Sequence, residues 1–250
     1  MKCCNYPDKI APLRQLWQEA FGDTDAFLDC FFATAFRRQS CRCITEGDKV
    51  LAALYWMDCH LGSEKIAYLY AVATAKAARG KGLCHSLMAD THALLEKQGY
   101  MGTLLVPGSP SLRKLYQGMG YQDCCPLQET HCTAGAIPIP LQKLDKTAFS
   151  HARQRKLGEN ALHLGGAGLA FLATQGDFYA GEDLLLVARR EGSHLHILEL
   201  LGDVTQAPGA VAALDAKTAN LRTPGARDFF AMYRPLKEGK APDYYPFAFD

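Results

Sequence analysis

Hydrophobic and polar positions follow two different periods along the first half of the chain, and together they predict a mixed α/β fold. Residues 65–74 form a mostly apolar run that predicts a strand, and a glycine-bearing turn follows it directly. Beyond the turn, the side chains that share one helical face are Leu83, Leu87, Thr91, Leu94 and Leu95. Gly99 stands where a left-handed residue commonly ends a helix. The pattern therefore predicts a strand, a turn and a helix in succession.

Similar patterns on either side extend this unit into a sheet flanked by helices. We predict helices at 12–21 and from Asp23 or Thr24 to about Phe36, strands at 41–46 and 49–57 around Gly47-Asp48, a strand at 103–106, and a helix that Ser109 caps with Pro110 at its first position. We expect the first nine residues to contain either a short first strand or no strand. This order predicts a mixed, mostly antiparallel sheet.

The second half of the chain repeats the pattern more faintly. Residues 126–160 carry Pro126, Pro138, Pro140 and a basic run, which predict a connecting segment with one helix from Leu141 onward. A hairpin at 183–190 and 194–202, a helix at 208–219 and a strand at 220–225 are then predicted. We expect a first domain at 1–130, a connecting segment at 131–160, and a smaller α+β domain of similar pattern at 161–250. An unrelated α+β domain is the alternative.

Composition and charge exclude several classes of function. The net charge of +1 gives no electrostatic footprint for nucleic acid or an anionic membrane. No apolar run has the length of a membrane-spanning helix, and the N-terminus lacks the apolar core of a signal peptide, so we expect a cytoplasmic protein. The ten cysteines include the adjacent pairs Cys3-Cys4 and Cys124-Cys125 but no C-x-x-C spacing. We therefore expect reduced thiols and no metal site.

The turn at residues 79–84 has the chemistry of an anion site. A strand that leads into a glycine-rich helix N-terminus presents backbone N–H groups and the positive end of the helix dipole. Gly80 and Gly82 allow a close approach of phosphate oxygens, and Arg79 and Lys81 add positive charge. The Walker A pattern is absent, and a dinucleotide fingerprint fails because its third glycine would fall on His85.

The same six residues resemble the pyrophosphate loop of a known superfamily. Arg79-Gly80-Lys81-Gly82-Leu83-Cys84 is similar to R/Q-x-x-G-x-G/A, the loop of the GNAT superfamily of acyl-CoA-dependent N-acetyltransferases, with Cys84 in place of a glycine or alanine. Residues 109–121 resemble the second GNAT motif, N-x-x-A-x-x-L/F-Y-x-x-x-G-F. They depart from it at Ser109 and Leu112, and conservatively at Tyr121. The resemblance covers about residues 10–125.

The resemblance implies a GNAT fold, acetyl-CoA as co-substrate, no metal, and an amine-bearing acceptor. It places the cofactor on Arg79, Gly80, Lys81, Gly82, Leu83, Cys84 and Ser109, and on the strand end Val72, Ala73 and Thr74. Backbone N–H groups of that strand end would stabilise the oxyanion. Tyr116 matches the motif tyrosine that protonates the CoA sulfur. The alternative is that Tyr116 is only a core aromatic residue on an amphipathic helix.

The function that follows is transfer of an acetyl group from acetyl-CoA to a primary amine by direct attack in a ternary complex. The competing function is a non-catalytic acyl-CoA-binding sensor or assembly module. Residues 202–209 lack the loop pattern, and Asp203 would repel a pyrophosphate, so we expect a degenerate GNAT-like second domain and one CoA site per chain. That domain would shape the acceptor pocket or a homodimer interface.

No general base is evident from the sequence. Many GNAT enzymes place a glutamate on the strand before the loop, where this chain has Tyr68 and Tyr70. Asp58, His60 and Glu64 from the preceding hairpin are candidates, acting directly or through water. Alternatively, the aromatic C-terminus at 244–250 folds over the acceptor site and supplies the Asp250 carboxylate.

Overall fold

The computed structural model describes residues 4–5 and 7–249 of the 250-residue chain. The chain forms two compact units, each assembled from separate stretches of sequence. The first unit takes Met1–Gln122, Leu164–Phe171 and Tyr233–Ala241, and the second takes Asp123–His163, Leu172–Met232 and Pro242–Asp250. No helix of the described residues is long and apolar enough to cross a membrane.

The first unit is a sheet with helices on both faces. Its elements are β1 (Cys4–Asn5), α1 (Ile10–Phe21), α2 (Asp25–Thr34), β2 (Cys41–Glu46), β3 (Lys49–Leu61), β4 (Glu64–Thr74), a 3-10 turn (Lys76–Ala78), α3 (Leu83–Lys97), β5 (Gly102–Leu105) and α4 (Pro110–Gln117). The strands lie in the order β1-β2-β3-β4-β5. All pairs are antiparallel except β4 with β5, which are parallel.

Alternation along β3 sends neighbouring side chains to opposite faces of this sheet. Tyr55 lies on the side of α1 and α2, where its ring centroid is 5.0 Å from that of Trp17, and Trp17 is 4.7 Å from Phe31. Trp56 points to the other face, where its indole N–H donates to the Tyr100 hydroxyl at 3.2 Å. Both faces of the sheet are therefore buried, as the predicted mixed α/β class requires.

The second unit also contains a run of hydrogen-bonded strands. The elements from its start are β6 (Gln122–Thr133), β7 (Gln142–Leu144), α5 (Lys146–Leu157), β8 (His163–Leu164), α6 (Gly166–Gln175), β9 (Asp177–Ala180), β10 (Leu184–Glu191), β11 (His194–Gly202), a 3-10 turn (Val204–Gln206), α7 (Ala207–Ala213), β12 (Thr218–Pro224) and β13 (Asp228–Pro235). The strand order is β7-β9-β10-β11-β12-β6, and only β11 and β12 are parallel. The helix α6 and the strand β13 each pass from one unit to the other.

A buried ion pair lies in the core of the second unit. The Arg153 guanidinium donates from Nε to both Glu199 carboxylate oxygens at 2.9 Å. Arg153 is 3% exposed and Glu199 is fully buried. Arg153 also donates to the Leu162 carbonyl at 2.9 Å, so the charge is held by several partners rather than by one. Removing either partner would leave an uncompensated charge in the core.

The predicted elements of the first unit are confirmed to within a few residues, whereas the segment at 131–160 differs from a plain connection. Those residues contain the predicted helix as α5, but also the strand β7, and β6 runs to Thr133 in spite of Pro126. Pro126 follows Cys125, whose φ of +54° marks an irregular point where a strand tolerates proline. The helix predicted at 208–219 is shorter because the chain turns at Asp215, which has a φ of +49°. The domain boundaries 1–130, 131–160 and 161–250 stay predictions.

Candidate active site

The strand before the loop contains a β-bulge. Ala53 pairs with Ala73, but Tyr55 pairs with Tyr70, so Leu54 of β3 faces two residues of β4. Ala71, one of those two, has a φ of +49°. A bulge turns backbone groups out of the ladder. The sequence gives no sign of it, because alanine is not typical of positive φ.

The strands β4 and β5 separate close to this bulge. Their parallel pairing runs from Ile66 with Gly102 to Tyr68 with Leu104 and does not continue beyond Tyr68 in the described residues. The last residues of β4 therefore have an open edge on the side away from β3. Val72, Ala73 and Thr74, to which the GNAT resemblance assigns the cofactor, lie on this stretch.

The loop that follows exposes the N-terminus of α3. Gly80 and Gly82 both have a φ of +72°, which explains why glycines stand there, and Gly82 is the N-cap residue. No side chain caps α3 at this end. The first N–H groups of a helix have no partner within it, so those of Leu83 and Cys84 are directed to an external acceptor. The Arg79 guanidinium donates back to the Thr74 carbonyl at 3.3 Å, which ties the loop to the strand end.

A cavity of about 660 Å³ in the first unit joins the loop, the strand end and α4. Of the residues predicted from sequence, those that line it are Val72, Ala73, Thr74, Arg79, Gly80, Gly82, Leu83, Cys84 and Tyr116. Lys81 and Ser109 do not line it. Lys81 is exposed, and the Ser109 hydroxyl accepts a hydrogen bond from the Leu112 N–H at 3.2 Å, as predicted for a helix cap.

Several lining residues were missed by the sequence analysis. They are Ala20, Phe21, Ala78, His85, Leu112 and Leu115. The sequence feature that marks Leu112 is its position one helical turn before Tyr116. In the structure it is 39% exposed although it is apolar. No sequence feature marks Ala20 and Phe21, because the end of α1 reaches the cavity only through the tertiary fold.

Tyr116 is held as a neutral phenol. It is 6% exposed, and burial, with the nearby Cys84, raises its pKa above the ordinary value for tyrosine. Burial also raises the pKa of the Cys84 thiol. Both groups therefore stay protonated at neutral pH, and the cavity contains a proton donor beside the exposed helix N-terminus.

A chain of buried hydrogen bonds lies behind Tyr116. The Arg234 guanidinium lies 3.1 Å from Nδ1 of His92, and since arginine only donates, Nδ1 is the acceptor. A neutral His92 then carries its proton on Nε2 and donates to the Tyr121 hydroxyl at 2.9 Å. The Tyr121 hydroxyl also shares a hydrogen bond with Thr103 Oγ1 at 2.8 Å. Burial, with the charge of Arg234, lowers the pKa of His92 to about 4.

This histidine makes stability depend on pH. The pKa is about 4 in the folded protein and 6.5 in the unfolded chain, so the unfolded chain binds the extra proton between these values. The stabilising contribution is complete above pH 6.5 and is lost as the pH falls towards 4. We expect the unfolding free energy to fall by roughly 2–3 kcal/mol more in the unmodified protein than in His92→Gln between pH 7.5 and 4.5. Urea unfolding of both proteins at the two pH values measures the difference; equal losses would contradict a neutral buried His92.

The base candidates Asp58, His60 and Glu64 lie at the wrong end of the sheet for direct proton transfer. Asp58 pairs with Ala67, five residues before Val72, which is about 17 Å along the strand. His60 and Glu64 are farther still. The Asp58 carboxylate instead accepts a hydrogen bond from the Tyr100 hydroxyl and lies 3.8 Å from the Lys65 ammonium. The hairpin is adjacent in sequence, but its extended strands carry its tip away from the loop.

The aromatic C-terminal segment is buried in the second unit. Tyr244, Tyr245, Phe247 and Phe249 are each at most 5% exposed, and the Leu162 N–H donates to the Tyr244 carbonyl at 3.0 Å. Asp250, whose carboxylate was the alternative base, lies outside the described residues. Its role stays a prediction.

The matching turn of the second unit is capped by a carboxylate. The Asp203 carboxylate accepts from the Thr205 N–H at 2.9 Å and from the Thr205 hydroxyl at 2.7 Å. These hydrogen bonds lower the pKa of Asp203. The Asp203 carboxylate thus caps the 3-10 turn and places a negative charge before α7, which, like α3, has no side-chain cap of its own.

Comparison with known proteins assigns the first half of the chain. Residues 7–124 match the family model of the acetyltransferase (GNAT) domain. No curated protein matches the sequence. In the part of the chain that the structure describes, no group of three or more His, Cys, Asp or Glu side chains is arranged to hold a metal ion.

Solved structures share the fold at low sequence identity. The GCN5-related N-acetyltransferase from Anabaena variabilis has a TM-score of 0.71 at 16% identity, covering 94% of this chain and 73% of that chain. The GCN5-related N-acetyltransferase from Kribbella flavida has a TM-score of 0.68 at 15% identity, covering 93% of this chain and 71% of that chain. The GCN5-related N-acetyltransferase from Sphaerobacter thermophilus has a TM-score of 0.60 at 10% identity, covering 98% of both chains. Residues 7–124 thus match an acetyltransferase (GNAT) domain, and this match, with the shared fold, supports an acyltransferase.

Proposed function

We propose that this protein transfers an acetyl group from acetyl-CoA to a primary amine, which attacks the thioester directly. One observation carries the proposal: a single cavity is lined by the loop at an uncapped helix N-terminus, a bulged strand end and a buried, protonated phenol. These are the three parts that a thioester of CoA needs, namely an anion site, a surface for its extended arm and a donor for its sulfur.

The pyrophosphate of CoA would bind at the N-terminus of α3. Helix N–H groups and the dipole attract phosphate, and Gly80 and Gly82 keep the loop free of side chains on that surface. Arg79 lines the cavity and adds a positive charge, while the exposed Lys81 contributes at longer range. Ser109 is left with a structural role, since its hydroxyl already caps α4.

The pantetheine arm would run along the open edge of β4. An extended chain adds to an unpaired strand edge through backbone hydrogen bonds. This binding mode brings the thioester carbonyl near the bulge at Ala71 and Val72. Backbone N–H groups there would stabilise the oxyanion that forms as the amine attacks.

Tyr116 would donate its proton to the departing sulfur. The amine nitrogen, arriving neutral, forms a bond to the carbonyl carbon, the carbon–sulfur bond breaks, and the sulfur takes the phenol proton. The tyrosinate regains a proton from the newly formed ammonium or from solvent. Tyrosine remains protonated at neutral pH and so holds a proton to give; because the pKa of a thiol, about 8.5, lies below that of the phenol, the transfer is completed by reprotonation of the tyrosinate.

The second unit supports the proposal of a degenerate GNAT-like repeat. In the first unit the order β1, α1, α2, β2, β3, β4, α3, β5 gives the sheet order β1-β2-β3-β4-β5. In the second, apart from β8, the order β7, α5, α6, β9, β10, β11, α7, β12 gives β7-β9-β10-β11-β12. The one parallel pair comes last in each, and a 3-10 turn precedes each crossover helix. With Asp203 in its turn, the repeat would bind no CoA, which leaves one site per chain.

A second candidate function is binding of acyl-CoA without turnover. The observation that favours it is that the residues lining the cavity include no carboxylate to accept the amine proton. A thiol-release assay separates the two functions, with acetyl-CoA and a panel of polyamines, aminoglycosides, amino acids and peptides. We expect CoA to raise the melting temperature and at least one amine to cause thiol release. Stabilisation without release across the panel would favour the binding module, and the absence of both would contradict the cofactor.

A further inference from the structure

The ring of the buried Tyr121 packs against the ring of Tyr116. Their ring centroids are 5.8 Å apart at an interplanar angle of 62°, an edge-to-face contact. The Tyr121 N–H also donates to the Tyr116 carbonyl at 3.1 Å, so the chain after α4 folds back onto the residue that it follows. Tyr121 is 2% exposed and does not line the cavity.

The direction of the Tyr116 hydroxyl depends on such ring contacts. In the described part of the chain, this hydroxyl has no hydrogen-bond partner, unlike that of Tyr121. A phenol without a partner is oriented by the groups that surround its ring. Tyr121, by contrast, is fixed at its hydroxyl by His92 from α3 and by Thr103 from β5.

The hydrogen-bond chain links Tyr116 to the elements that form the cavity. His92 belongs to the helix whose N-terminus carries the loop, and Thr103 pairs with Ala67 of β4, the strand that contains the bulge. Arg234 anchors the far end, since it also donates to the Met119 carbonyl at 2.7 Å. A shift of Tyr121 would therefore change the distance between the phenol and the open strand edge.

We propose that Tyr121, held by His92 and Thr103, is a positioning residue that fixes the Tyr116 phenol for proton donation to the CoA sulfur. This inference rests on the proposed function of Tyr116. Tyr121 touches no substrate. Its hydroxyl acts on the reaction only by fixing where the ring of Tyr116 lies.

The test compares Tyr121→Phe, which removes the hydroxyl alone, with Tyr121→Leu, which also removes the ring. Thiol release from acetyl-CoA is measured with hydroxylamine and with the most active amine of the panel. We expect kcat to fall about 5-fold in Tyr121→Phe and about 50-fold in Tyr121→Leu, while KM for acetyl-CoA stays within about 2-fold. His92→Gln, which can accept from Arg234 and donate to Tyr121, should retain more activity than His92→Leu.

Tyr100→Phe is the matched control. It removes another buried tyrosine hydroxyl of the same unit, one that bonds Trp56 and Asp58 away from the cavity, and kcat should not change. The double variant Tyr116→Phe/Tyr121→Phe should be no slower than Tyr116→Phe, because without the proton there is nothing left to position. Losses that multiply in the double variant would overturn the inference.

The outcomes also separate this inference from the proposed function. A Tyr116→Phe variant with a reduced kcat, beside an unchanged Tyr121→Phe and Tyr121→Leu, would contradict the positioning role alone. An unchanged Tyr116→Phe would contradict the role of Tyr116. Unmodified protein that releases no thiol above the spontaneous rate with any acceptor would contradict the acetyl-transfer function.

Discussion

Replacing Gly80 and Gly82 together by glutamate should abolish CoA binding, with a loss of affinity of at least about 1,000-fold. Both glycines have a φ of +72°, a conformation that costs a residue with a side chain roughly 1–2 kcal/mol. The new carboxylates would also lie at the N-terminus of α3, where they repel the pyrophosphate and compete for its N–H donors. Calorimetric titration with CoA, and the shift in melting temperature that CoA produces, measure the loss.

The matched control for this variant is Gly47→Glu with Gly192→Glu. Both glycines lie in hairpin turns with φ values of +58° and +59°, and a Cβ on either would meet no atom within 4 Å. The control therefore has similar backbone strain and the same change in charge, placed away from the cavity. We expect both double variants to lose thermal stability and only the loop variant to lose its response to CoA. A loop variant that CoA still stabilises like the unmodified protein would show that the cofactor binds elsewhere.

The loop and its helix were predictable because their signals are local. A positive φ selects glycine at Gly80 and Gly82, the helical period selects the buried face of α3, and Gly99, with a φ of +84°, ends it as expected. The conformation of each of these residues is determined by a few neighbours in sequence. For the same reason Ser109 could be read as a helix cap from its neighbours alone.

What the sequence could not predict depends on contacts between distant segments. The bulge at Ala71 exists because of how β4 pairs with β3, and alanine gives no sign of it. Asp58 lies on β3, in the hairpin that leads into the loop, yet its pairing with Ala67 places it far from the loop along β4. The Arg153–Glu199 pair joins residues 46 positions apart and has no local signature. Residue type limits the chemistry that a side chain can perform, whereas the pairing of the sheet sets the distances between side chains.

The two units share a topology but differ at the turn before the crossover helix. Each unit has an antiparallel hairpin, a 3-10 turn, a crossover helix and a parallel strand. At the turn the first unit has glycines and no cap, so N–H groups remain for a ligand. The second has Asp203, whose carboxylate accepts from the Thr205 N–H of the 3-10 turn, while α7 also has no side-chain cap. The fold thus supplies a helix N-terminus in both units, and the units differ in the charge and the glycines that precede it.

Tyr116→Phe should lower kcat for acetyl transfer by about 100-fold or more while acetyl-CoA binds normally. The phenylalanine ring keeps the contact with Tyr121 and the apolar lining of the cavity, so only the proton donor is lost. Without it, the sulfur departs as an unprotonated thiolate. Because the pKa of Tyr116 is raised, the unmodified enzyme should show no loss of rate from ionisation of this group up to about pH 10.

Steady-state kinetics of thiol release, with acetyl-CoA and the amine varied separately, distinguish this role from a structural one. A lost proton donor lowers kcat and kcat/KM by the same factor and leaves KM unchanged, because the interaction forms only as the carbon–sulfur bond breaks. A damaged cavity would instead raise KM for acetyl-CoA and reduce the shift in melting temperature that CoA produces. Tyr100→Phe again provides the matched control. Turnover that is unchanged in Tyr116→Phe, with acetyl-CoA bound as in the unmodified protein, would remove the tyrosine from the mechanism and leave protonation of the sulfur to solvent.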